Sequence, residues 1–153
     1  MNRAELYYSE AVRRTEEQLK TRQHFDTMAT AVLAASGVIL SIMALSTSEW
    51  ACWSIYPAIA VVLSFAAVAI STIVGLWLRK WQFQPPLSTL YKHMESLEYE
   101  DEALAIWTAK WMSDAVENNK TFLTRKSICL RAAYIFLACE VISLGVFIFS
   151  VAA

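Results

Sequence analysis

Residues 27–48 read TMATAVLAASGVILSIMALSTS, twenty-two positions without a charge. A helix needs about 20 mostly apolar residues to cross the hydrocarbon core of a bilayer, so this run is long enough to span one. Residues 50–78, WACWSIYPAIAVVLSFAAVAISTIVGLWL, form a longer charge-free run. Residues 132–153, AAYIFLACEVISLGVFIFSVAA, form a third, interrupted by the single acid Glu140. None of the three alternates apolar and polar residues as a barrel strand does, and unpaired backbone groups are intolerable in lipid, so helices are the expected spanning form.

The charges lie outside these runs. All 13 Lys and Arg residues fall between Arg3 and Arg22 or between Arg79 and Arg131. Basic residues stay on the cytoplasmic side during insertion, which predicts a cytoplasmic amino terminus and an outer carboxyl terminus. Trp50, Trp53 and Tyr56 then mark the outer boundary, and Trp77, Trp81 and Phe83 the inner one. Some 26 mostly polar residues precede the first apolar run, unlike a cleavable leader, so no removal is expected.

The polar segments read as helices. Glu10 with Arg13 and Arg14, Arg13 with Glu17, and Glu16 with Lys20 stand three or four residues apart in the amino-terminal arm. Pro85 and Pro86 predict a break after the second span. Leu87, Leu90, Met94 and Leu97 then recur at helical spacing, followed by the acids Glu95, Glu98, Glu100, Asp101 and Glu102. Beyond them Leu104, Trp107, Trp111, Ala115, Asn118 and Phe122 repeat at threes and fours. No Gly or Pro interrupts Ala103 to Leu144, which predicts one helix running into the third span and standing roughly 40 Å into the cytoplasm. The expected fold is thus an all-α integral membrane protein. It has a cytoplasmic helix over 1–26, transmembrane helices over 27–48, 50–78 and 132–153, and a cytoplasmic helical region over 79–131. The long cytoplasmic helices are expected to bundle.

Catalytic chemistry is sparse. Three glycines leave little for a phosphate-cradling loop, and His24 and His93 have no visible nucleophile or zinc-ligand partners. Cys52, Cys129 and Cys139 fall at three different depths and cannot form a disulfide framework. A formal net charge of −1 carries no global bias towards nucleic acid. Neither an enzyme nor a metal or cofactor protein is expected. A transporter is disfavoured by the lack of internal inverted repeats.

Within the membrane, Thr27, Thr30, Ala34, Gly37, Ser41, Ala44 and Ser48 make a stripe of small and hydroxyl side chains on the first span, and Ala60, Ser64, Ala67, Ser71 and Gly75 a comparable ridge on the second. Such stripes either let helices approach closely or, repeated around a ring, line a water path. Glu140 lies nine residues, about 13 Å of helix, beyond Arg131. Protonation, a hydrogen bond to Ser36, Ser71 or Thr72, and contact with water are the options open to it. Glu140, Thr30, Gly37 and Ser41 are the candidate pore or gate residues. Arg79, Lys80, Lys120, Arg125, Lys126 and Arg131 are the candidate phosphate ligands at the cytoplasmic mouth, although topology and lipid headgroups call for the same residues. Trp107 and Trp111 suit a bundle core or a base-stacking surface.

The segments FDTMATAVLAASGVILSIM (Phe25–Met43) and NNKTFLTRKSICLRAAYIFL (Asn118–Leu137), with a helical section between the spans, resemble small membrane effectors of bacterial anti-phage systems. The likeness is to the Pycsar-type and SLATT-type transmembrane effectors and to the Hailong-type effector. It covers most of the chain and rests on segment order and on positions such as Asn119, Arg125 and Lys126. It implies a homo-oligomer, expected here as a tetramer, that permeabilises the bacterial inner membrane when a nucleotide or oligonucleotide signal changes. A nucleotidyltransferase or cyclase encoded nearby would supply that signal. The rival expectation is a non-conducting adaptor or inhibitor that docks a cytoplasmic protein.

Overall fold

The computed structural model describes residues 3–45, 55–77 and 101–152, all of them helical. Helix α1 spans Arg3–Leu45, α2 spans Ile55–Trp77 and α3 spans Asp101–Ala152. Each contains a segment long and apolar enough to cross a membrane. The arm and the first apolar run form one helix, and α3 passes without a break from its charged half into its apolar half, as the lack of Gly and Pro predicts. Pro57 sits in the first turn of α2, where a missing N–H costs no helical hydrogen bond. The loop aromatics Trp50 and Trp53, the Pro85–Pro86 break, the helical spacing over 87–97, and Trp81, Phe83 and His93 lie outside the described residues.

The chain divides into a charged unit, Met1–Gln23 with Arg79–Thr124, and an apolar unit, His24–Leu78 with Arg125–Ala153. In the charged unit α1 and α3 run parallel. Ala11 packs on Ala109 and Met112, with Val12 and Trp111 beside them, and Gln18 Nε2 donates to the Val116 carbonyl at 2.9 Å. Trp111 thus belongs to the core of this unit.

In the apolar unit α2 runs antiparallel to the other two helices. Val32, Val68 and Ala133 form one buried cluster, and Met43, Ala58, Val61 and Phe147 another. The ridge expected on α2 faces inward: Ala60, Ser64, Ala67 and Ser71 are half-buried and Gly75 is buried. A Cβ at Gly75 would stand 3.3 Å from Cys129 Cβ, so α2 and α3 are in direct contact there. Cβ atoms in disulfides lie about 3.5–4.5 Å apart. Gly75→Cys should therefore form an intrachain disulfide with Cys129 on mild oxidation, read as the loss of two free thiols by mass spectrometry. Two thiols that persist under oxidant would refute the register.

The buried residues of α1 and α3 recur with a seven-residue period. On α3, Met112, Asn119, Lys126, Ala133, Glu140 and Phe147 share one heptad position, with Ala109 and Ala115 buried three residues to either side of Met112. On α1, Ala4, Ala11 and Val32 share one heptad position, and Thr15, Ala29, Ser36 and Met43 the other. This is the spacing of a coiled-coil seam.

Candidate functional site

Two ionisable side chains of α3, Lys126 and Glu140, engage partners on α1 inside the apolar unit. The Lys126 ammonium is 2.5 Å from Asp26 Oδ1, with Lys126 4% and Asp26 36% exposed. This neutralises Lys126 and withdraws it from the surface, unlike Arg125 and Arg131, which are exposed on the same helix. Phe25, Ser71, Thr72, Gly75 and Cys129 surround the pair, in a crevice of about 10 Å³ that leaves room for at most one water.

Deeper in the unit, Ser36 Oγ donates to Glu140 Oε2. Both residues are fully buried. Of the three hydroxyls open to Glu140 by depth, Ser36 is the one engaged, whereas Thr72 Oγ1 donates to its own helix, to the carbonyls of Val68 and Ala69. Glu140 Oε1 has no hydrogen-bond partner among the described residues. The Val32–Val68–Ala133 cluster lies on one side of this contact and the Met43–Ala58–Val61–Phe147 cluster on the other. The carboxyl group of Glu140 therefore sits between two apolar clusters of this unit.

The expected pore residues on α1 lie elsewhere. Thr30 and Ser41 are exposed and Gly37 half-exposed, on a flank of α1 turned away from Ser36. Thr30 Oγ1 donates to the Asp26 carbonyl at 2.9 Å and Ser41 Oγ to the Gly37 carbonyl at 2.8 Å. Their hydrogens are thus satisfied within the helix, and their lone pairs point away from it. Among the expected phosphate ligands, Lys120 is exposed in the charged unit with Glu117 at 3.6 Å, while Arg79 and Lys80 lie outside the described residues.

A groove of about 420 Å³ opens between α1 and α3 in the charged unit, a volume within the range small-molecule pockets occupy. Its apolar floor includes Ala11 and Ala109, and Glu10, Arg14, Lys110 and Asp114 stand along its walls with Tyr7 and Ser113. The four charges cancel. No periodicity announces this groove, because it exists only where two short side chains from distant helices meet.

Glu10 accepts hydrogen bonds from Arg13 at 2.8 and 2.9 Å and from Arg14 at 2.9 Å. Those bonds hold its carboxyl at a pKa of about 2, below the usual 4.5. A depressed carboxyl contributes stability above its unfolded pKa and loses it as pH falls through the folded one, here between about pH 4.5 and about 2. Carboxyl-carbon NMR should give a Glu10 midpoint near 2, returning towards 4.5 in an Arg13→Gln, Arg14→Gln variant. A midpoint near 4.5 in the parent would show that the pairs do not persist in solution.

No protein-family model, curated protein or solved structure matches the chain.

Proposed function

We propose that the chain is a non-enzymatic membrane effector whose copies assemble into an ion-conducting pore, gated from the cytoplasmic side by a nucleotide or oligonucleotide signal. One observation carries the pore. The outward face of α2 presents Ile59, Leu63, Ile70 and Ile73, and that of α3 presents Ile135, Ile142, Val146 and Phe149, side chains suited to lipid. The outward face of α1 instead presents Thr27, Thr30, Ala34, Ser41 and Ala44 along one edge, beside Ala31, Ala35, Val38 and Ile42. Large apolar side chains are satisfied by acyl chains, whereas a small hydroxylated face gains from a neighbouring helix or from water. In a ring of copies the alanine edge packs, and the hydroxyl edge turns Thr30 and Ser41 lone pairs towards water or a cation.

The apolar clusters within one copy favour a path between copies over one through the three-helix unit. Glu140 then acts as a gate element from behind the lining, through Ser36 on the buried side of α1. Arg125 and Arg131, with Arg79, Lys80 and Lys120, are the cationic groups proposed to meet the phosphates of the signal. Lys126 serves the ion pair with Asp26. The inner-membrane, anti-phage setting and the signal-making partner rest on the resemblance of Phe25–Met43 and Asn118–Leu137 to known effectors. The adaptor alternative is favoured by the groove, whose rim lies near the exposed apolar side chains of Leu6, Tyr7, Tyr8 and Ile106.

Two glycines make the test specific. A Cβ at Gly37 or at Gly145 meets nothing within 4 Å, so a side chain at either position starts into open space and circular dichroism of the Leu variants should match the parent. In liposomes, Gly37→Leu should cut ion flux tenfold or more, while Gly145→Leu on α3 leaves it near the parental rate. No flux from the parent, with or without candidate nucleotides, leaves the adaptor. Equal flux from parent and Gly37→Leu removes α1 from the lining.

A further inference from the structure

The charges on the α3 seam have opposite consequences for like and unlike helix pairs. On α3 the seam position that carries Met112, Ala133 and Phe147 also carries Asn119, Lys126 and Glu140, all buried. Paired with α1, Lys126 meets Asp26 and Glu140 meets Ser36. Copies inserted in one orientation hold each α3 residue at the same depth as its counterpart. Two α3 seams facing each other would set Lys126 against Lys126 and Glu140 against Glu140 in an apolar setting. Asp26 itself stands at the edge of the α1 seam, 36% exposed and one residue on from the heptad position of Ala4, Ala11 and Val32.

We infer that Asp26, Lys126, Ser36 and Glu140 form a pairing code that admits α1 against α3 in one register and rejects α3–α3 contact between copies of this chain. Polar seam positions select partner and register in coiled coils at a cost in stability. Lipid sharpens the selection, because no water is present to solvate a mispaired charge. The α3 seam is thereby kept within its own copy, against α1 and α2. Copies are left to associate through outward faces, of which that of α1 is the smallest in side-chain size. The inference holds whether the assembly conducts or not.

Ala133 reports on it, being fully buried at the seam between Lys126 and Glu140. In a chain with Cys52, Cys129 and Cys139 replaced by Ala, Ala133→Cys is oxidised in membranes and α3–α3 disulfide dimers are read on a non-reducing gel. The parental seam should give background dimer only. Lys126→Met with Glu140→Leu removes the like charges that two facing α3 seams would bring together, and should raise the dimer fraction severalfold. Ser36→Ala, which loosens the α1–α3 contact but keeps both charges, should stay at background. That contrast separates a pairing code from a folding defect, since a merely loosened chain still carries the like charges. Abundant dimer in the parent or in Ser36→Ala, or a double variant that stays at background, would overturn the inference.

Discussion

Asp26→Ala should destabilise the apolar unit far more than Lys126→Met, although each removes one half of the same ion pair. The asymmetry follows from burial, since Lys126 is 4% exposed and Asp26 36%. Without Asp26 the ammonium is left among Phe25, Ala29, Thr72 and Leu130 with no opposite charge against it. Removing one partner of a buried pair costs roughly 3–5 kcal/mol, and outward bending of the lysine stem sets the lower end of that range. Without Lys126 the carboxylate still reaches solvent or headgroups, so the loss should be nearer about 1 kcal/mol. Asp26→Ala combined with Lys126→Met leaves no buried charge and should recover most of the single-variant loss. Unfolding in detergent micelles, followed by circular dichroism, measures all three variants. Equal losses for the two single variants would mean that Lys126 is not confined as its burial indicates, and a double variant as unstable as Asp26→Ala would exclude unpaired charge as the cause.

The three apolar helices were legible in the sequence because lipid leaves a coarse signature, long runs without charge, that survives any detail of packing. The seam was not. Periodicity reading assigns apolar residues to the inside and polar ones to the surface, so Asn119, Lys126 and Glu140, buried every seven residues with Met112 and Phe147, are invisible to it. Lys126 read as a phosphate ligand because its partner, Asp26, is 100 residues away in the chain. The small stripes were found on α1 and α2 alike, yet the α2 ridge packs inward and the α1 stripe faces out. Short side chains suit close packing and open space equally, so composition left the direction open. What turns α1 is its other face, where Ala29, Val32, Ser36 and Met43 meet α2 and α3. Of the three hydroxyls within reach of Glu140 by depth, only the helix pairing selects Ser36.

Glu140→Leu should separate what this carboxyl group does for the fold from what it does for gating. The leucine side chain fills a similar volume, removes an oxygen that has no partner among the described residues, and lies between two apolar clusters. Exchanging a buried polar group for a hydrophobic one of like size is often neutral or stabilising by about 1–4 kcal/mol, so the unfolding midpoint should stay level or rise. Ser36→Ala does the opposite, taking away the donor and leaving both carboxyl oxygens unmet, at a cost of roughly 1–3 kcal/mol. Adding Glu140→Leu to Ser36→Ala should cancel that cost, because no polar group then remains to be satisfied. Flux through liposomes is the second axis. A gate element that acts through Ser36 predicts that both single variants alter the response to the signal, one at raised stability and the other at lowered stability. If flux and response follow stability alone, falling in Ser36→Ala and unchanged in Glu140→Leu, the Ser36–Glu140 contact is purely a fastening between α1 and α3, and the gate lies elsewhere in the assembly.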